Sequence, residues 1–118
     1  MDILRFDMPY PPSINHYYVR ATHGVILGIK GKQYRQDVSF LLYKFRDKCG
    51  SEMRLSLTIN VFPPDKRLRD LDNICKAAID SMQHARVFEN DNQIDMLTII
   101  RRDMVKDGQL SVWIGECS

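Results

Sequence analysis

Two acids and a lysine stand where they could act on a phosphodiester. Asp70 and Asp72 lie two residues apart in Lys66-Arg67-Leu68-Arg69-Asp70-Leu71-Asp72-Asn73, and Lys76 follows four residues after Asp72. In an extended chain both carboxylates leave on the same side, with Cα atoms about 6–7 Å apart. Carboxylates that close either raise one pKa or bind a cation. Oxygen-only donors favour a hard ion such as Mg²⁺, with Mn²⁺ as a substitute. On a helix, Lys76 faces the same way as Asp72 one turn on. A lysine there can reach a phosphate oxygen or stabilise charge developing in a transition state. Lys66, Arg67 and Arg69 flank the acids as candidate contacts to a phosphate backbone. An ordinary reading uses the same residues. Asp70 and Asp72 would be helix-capping acids and Asp72 would pair with Lys76, each worth about 1 kcal/mol or less. The residues alone leave both readings open.

The elements that must position this segment are legible around it. Leu55, Leu57, Ile59 and Val61 alternate with polar residues, the period of a half-buried strand, and Pro63-Pro64 stops it. A helix is expected from about 72 to 84, with Ile74, Ala77, Ala78 and Met82 on its buried side. Another helix is expected from about 31 to 49, with Tyr34, Val38, Leu41, Leu42 and Phe45 along one face. Residues 3–8 read as a strand ended by prolines, 11–18 as a loop rich in proline and rings, and 25–29 as a short strand or hairpin arm. Val87 to Asp91 reads as a turn with Asn90-Asp91-Asn92 at its tip. Residues 94–102 and 110–116 read as strands, and Asp107-Gly108 between them is a hairpin signal. The expected fold is a single α/β (α+β) domain over 1–118, a small mixed sheet with two helices packed on it.

The bulk composition permits this and excludes other classes. The 118 residues hold 44% hydrophobic and 27% charged side chains, ordinary for one globular domain. A core of that size is modest, and dimerisation would help it. The net charge of +2 permits a polyanionic partner, and the basic runs at 66–69, 101–102 and 30–35 suit phosphates better than the total suggests. Cys49, Cys75 and Cys117 are an odd number and widely spaced, against a disulfide framework or zinc site. The histidines at 16, 23 and 84 are scattered singles and are not expected to be metal ligands. The charged first residues read as no signal peptide, and no run reaches the about 20 apolar residues of a membrane span. A soluble cytoplasmic protein is expected.

Three motifs resemble the RusA family of Holliday-junction resolvases. They are Pro11-Pro12-Ser13-Ile14-Asn15 with Tyr17; Arg69-Asp70-Leu71-Asp72-Asn73 with Lys76-Ala77-Ala78 and Asp80; and Asn90-Asp91-Asn92-Gln93-Ile94. They occur in the family's order, and the resemblance runs from about residue 5 to 115. It implies a homodimeric α/β fold that resolves four-way DNA junctions with Mg²⁺ or Mn²⁺ in recombination and repair, and a phage origin fits. By motif match, Asp70, Asp72 and Asp91 become the catalytic, metal-binding acids and Lys76 their catalytic partner. Lys66, Arg67, Arg69, Asn73, Asn15 and Tyr17 become candidate DNA contacts, with Tyr17, Tyr18 and His16 as rings that could stack near a branch point. The family's turn often carries two consecutive acids, but here the first position is Asn90, which keeps an oxygen and loses a charge. Asp95 is a candidate compensating charge. The rival readings are a non-catalytic protein that binds branched DNA and a metal-dependent nuclease acting on flaps or RNA.

Overall fold

The alternation at 55–61 folds as expected. In β4 (Leu55–Phe62) Leu55, Leu57, Ile59 and Val61 are all at most 1% exposed, while Ser56 and Thr58 face the other way. Each such side chain removes enough apolar surface from water to contribute about 1.5–3 kcal/mol. They pack under the apolar face of α3 (Leu71–His84), formed by Ile74, Ala77, Ala78 and Met82 as the spacing predicts, with Cys75 and Ser81. The structure, a computed structural model, describes residues 2–117. Met1 and Ser118, the two ends of the expected 1–118 domain, lie outside the described residues.

The remaining elements are β1 (Asp2–Met8), α1 (Ile14–Tyr17), β2 (Tyr18–Ala21), β3 (Gly24–Leu27), α2 (Ile29–Leu41), β5 (Ile94–Arg101) and β6 (Gln109–Glu116). One mixed sheet has the order β1-β6-β4-β5, with β5 parallel to β4 and the other neighbours antiparallel. A second sheet contains only the hairpin β2–β3. The β4–α3–β5 unit sets the chemistry in place. It puts the start of α3 beside the carboxyl ends of two parallel strands, where open α/β sheets commonly bind ligands.

Three expectations need correction. Asp107-Gly108 does form a tight reversal, with φ of 66° and 71°, but β5 and β6 do not pair. Residues 102–105 run past the end of β4, with Arg102 N–H donating to the Val61 carbonyl and Val105 N–H to that of Pro63. The chain then turns and inserts β6 between β4 and β1. A turn signature fixes only the local reversal, whereas burial decides the neighbours. Leu110, Val112 and Ile114 are 0% exposed and require a central strand, while Met96 and Leu97 remain exposed on the edge strand β5.

The helix expected from 31 to 49 ends at Leu41 and continues as a 3₁₀ turn at Tyr43–Phe45. Tyr34, Val38 and Leu42 are buried as expected, but Leu41 is half exposed. The loop expected at 11–18 contains the short α1. The carbonyl of Tyr17, at its end, lies so near Gly31 that a Cβ there would stand 2.3 Å from it. Only glycine permits this approach of α2 to α1.

Candidate active site at the start of α3

The loop carrying the basic run is braced from within. Asp65 accepts hydrogen bonds from the Arg67 N–H at 2.9 Å and from both ends of the Arg69 guanidinium at 2.8 and 3.0 Å. The Arg69 bond, with help from Arg67, holds the Asp65 carboxyl down at about 2. Arg101, at the end of β5, donates to the Arg69 carbonyl at 2.5 Å and fixes the loop to the sheet. The Arg69 guanidinium also lies 5.6 Å from the centre of the Tyr10 ring. Arg69 is thus a brace as well as a candidate DNA contact. Lys66 and Arg67 are exposed.

Asp70 occupies the cap position of α3, with φ −69° and ψ 126°, yet its carboxylate makes no capping hydrogen bond. Its carbonyl accepts from the Ile74 N–H at 3.3 Å. Asp72 lies in the first helical turn, not in an extended stretch, and among the described residues accepts only from the adjacent Asn73 N–H at 3.1 Å. Lys76 forms no ion pair with Asp72 among the described residues; its ammonium lies 5.6 Å from the Tyr18 ring centre. The ordinary roles open to these residues, a side-chain cap and an i,i+4 ion pair, are therefore not taken up. Two exposed carboxylates and an exposed ammonium remain available to a ligand.

The chain brings distant residues to this point. A cleft of about 200 Å³ is lined by Tyr10, Pro12, Asn15, Arg67, Asp70 and Asn73, so the expected contacts Asn15, Arg67 and Asn73 do meet at Asp70. Among the described residues the buried Tyr10 hydroxyl finds no hydrogen-bond partner. Lys76 and Asn15 share a second groove with Tyr18 and Arg20.

Tyr17 is a correction. It is 0% exposed, so it is core and not a DNA contact or a stacking ring. Its hydroxyl donates to the Asp80 carboxylate, which also receives a two-pronged bond from Arg35, 2.8 Å on each arm. The node ties α1, α2 and α3 together. Burial and the bond to Asp80 raise the Tyr17 hydroxyl above its ordinary pKa. Burial pushes Asp80 upward, but the Arg35 and Tyr17 bonds prevail and hold its carboxyl below the usual value. A carboxyl depressed in the folded state stabilises fully above the unfolded value of about 4 and ceases to do so as pH falls through the folded value. Asp80→Asn should cost about 1–3 kcal/mol at neutral pH and narrow the gap to wild type on acidification, as read by urea midpoints between pH 7 and pH 3.

Asp91 stands at the other end of α3. It opens a 3₁₀ turn, Asp91–Gln93, and its N–H donates to the Gln83 side chain at 2.9 Å. The rise of α3 from Asp72 to Gln83 is about 16 Å. Among the described residues no three acids, histidines or cysteines lie close enough to hold one ion. Asp70 and Asp72 therefore cannot share a metal with Asp91 of the same chain. Asn90 caps the turn by accepting from the Asn92 N–H at 2.9 Å, so its oxygen is already engaged. Asp95 is paired with Arg54 at 2.5 Å and lends no charge to the site.

Sequence reasoning gave Gln93 no role of its own. Only 2% exposed, it accepts from the Glu89 and Asn90 N–H groups and donates to the Gly50 and Met53 carbonyls, which fixes the acidic turn. The signal was present in Asn90-x-x-Gln93, the spacing of a capping box. The Arg35–Asp80–Tyr17 node had no local signal, because its members come from three elements.

The family model for endodeoxyribonuclease RusA matches residues 9–114. The chain belongs to the RusA family. A crossover junction endodeoxyribonuclease of Enterobacteria phage HK97 is 37% identical over 116 residues, covering 98% of this chain and 97% of that protein. The RusA crossover junction endodeoxyribonuclease of Escherichia coli strain K12 is 30% identical over the same coverage, and that of Enterobacteria phage 82 is 29% identical. The RusA match spans both clefts, all of α3 and the acidic turn. No helix among the described residues is long and apolar enough to cross a membrane.

Proposed function

We propose that this protein resolves four-way DNA junctions as an endonuclease, hydrolysing phosphodiesters at the start of α3 with the help of a divalent cation. The observation that carries the reading is the set Asp70, Asp72 and Lys76, exposed and without the structural partners their positions offer. Names of relatives 37% and 30% identical over nearly the whole chain support the substrate class.

The separation of the acids along α3 has a consequence for assembly. If Asp91 completes the site, it comes from a second copy of the chain. A two-fold axis crossing α3 near its middle would bring Asp91 of the partner subunit to Asp70 and Asp72, and the reverse. Two equal sites result, separated by roughly the 16 Å of the helix. Each would offer three carboxylates, a donor set that suits Mg²⁺ or Mn²⁺. When bound, the metal would supply Lewis-acid activation of water and neutralise charge on the phosphate. Lys76, steadied over Tyr18, would hold a non-bridging phosphate oxygen and stabilise its growing charge. Asn15, Arg67 and Asn73 would grip the backbone beside the cut, contacts that position without reading sequence. The cytoplasm, where DNA recombines and thiols stay reduced, is the fitting compartment for the free Cys49, Cys75 and Cys117.

The test is a labelled four-way junction beside linear duplex of the same sequence, each with Mg²⁺ and with EDTA. Paired symmetric cuts in the junction alone, abolished by EDTA, are expected. Tight junction binding without cleavage under Mg²⁺ or Mn²⁺ would replace this reading with that of a non-catalytic junction binder. Preferential cutting of flaps or RNA would change the substrate class.

A further inference from the structure

The β2–β3 hairpin stands apart from the main sheet. A lone two-stranded ribbon is marginally stable and gains from being anchored. Here the anchor is at the base. The Gly28 N–H donates to the Tyr17 carbonyl at 2.8 Å, and a Cβ at Gly28 would lie 2.5 Å from the His16 carbonyl oxygen. Tyr18 and Leu27, the basal pair, pack on the core. Beyond them the ribbon is open to solvent and carries apolar side chains: Val25 is 68% exposed, Ile26 52% and Val19 37%.

One face of the ribbon forms a wall. Arg20 pairs with Val25 on the face that Tyr18 begins, and these three side chains line a groove of about 740 Å³ whose other wall includes Lys76 and Asn15. Cations thus stand on both walls, with an aromatic ring between them. The hairpin wall of the groove is free of acids. From Met8 to Gln36 there is no Asp or Glu, whereas Arg20, Lys30 and Lys32 lie within that stretch; Arg35, also there, is paired with Asp80. The whole chain holds 15 acids, so their absence from this stretch leaves Arg20 on the hairpin wall with no acid from its own segment, across the groove from Lys76.

We propose that the β2–β3 hairpin is a branch-point arm, which holds one DNA strand in the groove between Arg20 and Lys76 and inserts between unstacked bases, with Val25 on its groove face and Ile26 on the opposite face. This rests on the reading of the protein as a junction-cutting enzyme and adds how it selects junctions. Phosphates in the groove meet cations on both sides, and a base can stack on Tyr18, a contact that tolerates any sequence. Apolar wedges work by unstacking a base step, which costs a few kcal/mol in intact duplex. At a branch point the step is already weakened, so the same wedge favours a junction over a linear duplex.

The test uses a junction with 2-aminopurine at the branch point, the wild-type protein, Arg20→Ala and the double variant Val25→Ser with Ile26→Ser. All three substituted residues are exposed, so thermal melting should confirm that each variant folds. Wild type is expected to raise the 2-aminopurine fluorescence on binding. The double variant should lose that rise and cut the junction about tenfold more slowly. Arg20→Ala should reduce the slope of log affinity against log salt by about one phosphate contact. Variants that match wild type in fluorescence, rate and salt slope would overturn the arm, as would wild type cutting with no fluorescence change. Wild type that unstacks the branch point but never cuts would support the arm and remove the nuclease reading instead.

Discussion

Asp72→Asn and Asp91→Asn proteins, each inactive alone, should regain activity when paired in one dimer. In the mixed dimer one site carries both substitutions and the other carries neither, if Asp70 and Asp72 work with Asp91 of the partner subunit. Random pairing of equal amounts makes half the dimers mixed, each with one intact site of two, so about a quarter of wild-type sites return. The intact site can cut one strand only, so the product should be a nicked junction and not a resolved pair of duplexes. Co-expression with two different tags isolates the mixed dimer, and a denaturing gel reads the nick. No recovery would mean that the acids do not meet across a subunit boundary. The prediction follows from the placement of Asp91 against Gln83, at the far end of α3 from Asp72.

Asp72→Asn should separate binding from chemistry. If Asp72 holds the metal as proposed, losing its carboxylate removes several kcal/mol of transition-state stabilisation, which converts to about 10³-fold or more in cleavage rate. Junction affinity in EDTA should rise at the same time, because a negative charge facing phosphates has gone. Stability should change little: an acid in the first turn of a helix contributes less than about 1 kcal/mol. Cleavage rate, EDTA-phase affinity and melting temperature together distinguish a ligand from a helix acid. Unchanged cleavage with a lower melting temperature would return Asp72 to a purely structural role.

The sequence by itself determined the local elements and the chemistry of the main segment. Alternation at 55–61 and helical spacing at 74–82 are written in side-chain periodicity, so β4 and the buried face of α3 could be read directly. The proximity of Asp70, Asp72 and Lys76 is likewise a matter of spacing along one short stretch. The capping box of the acidic turn, Asn90-x-x-Gln93, is local too.

Only the tertiary structure decided the neighbours. The reversal at Asp107-Gly108 was legible, but its strands were parted because three fully buried side chains drew β6 into the sheet centre. Tyr17 looked like an exposed ring in a proline loop and became core, because Asp80 and Arg35, 63 and 45 residues distant from their partners, close a node around it. Asp91 lies 19 positions from Asp72 in sequence, yet an intervening rigid helix holds the two at opposite ends. Periodicity reports which way a side chain faces within its own element. Which elements meet depends on burial and polar pairing summed over the whole chain, and no short window of sequence contains that sum.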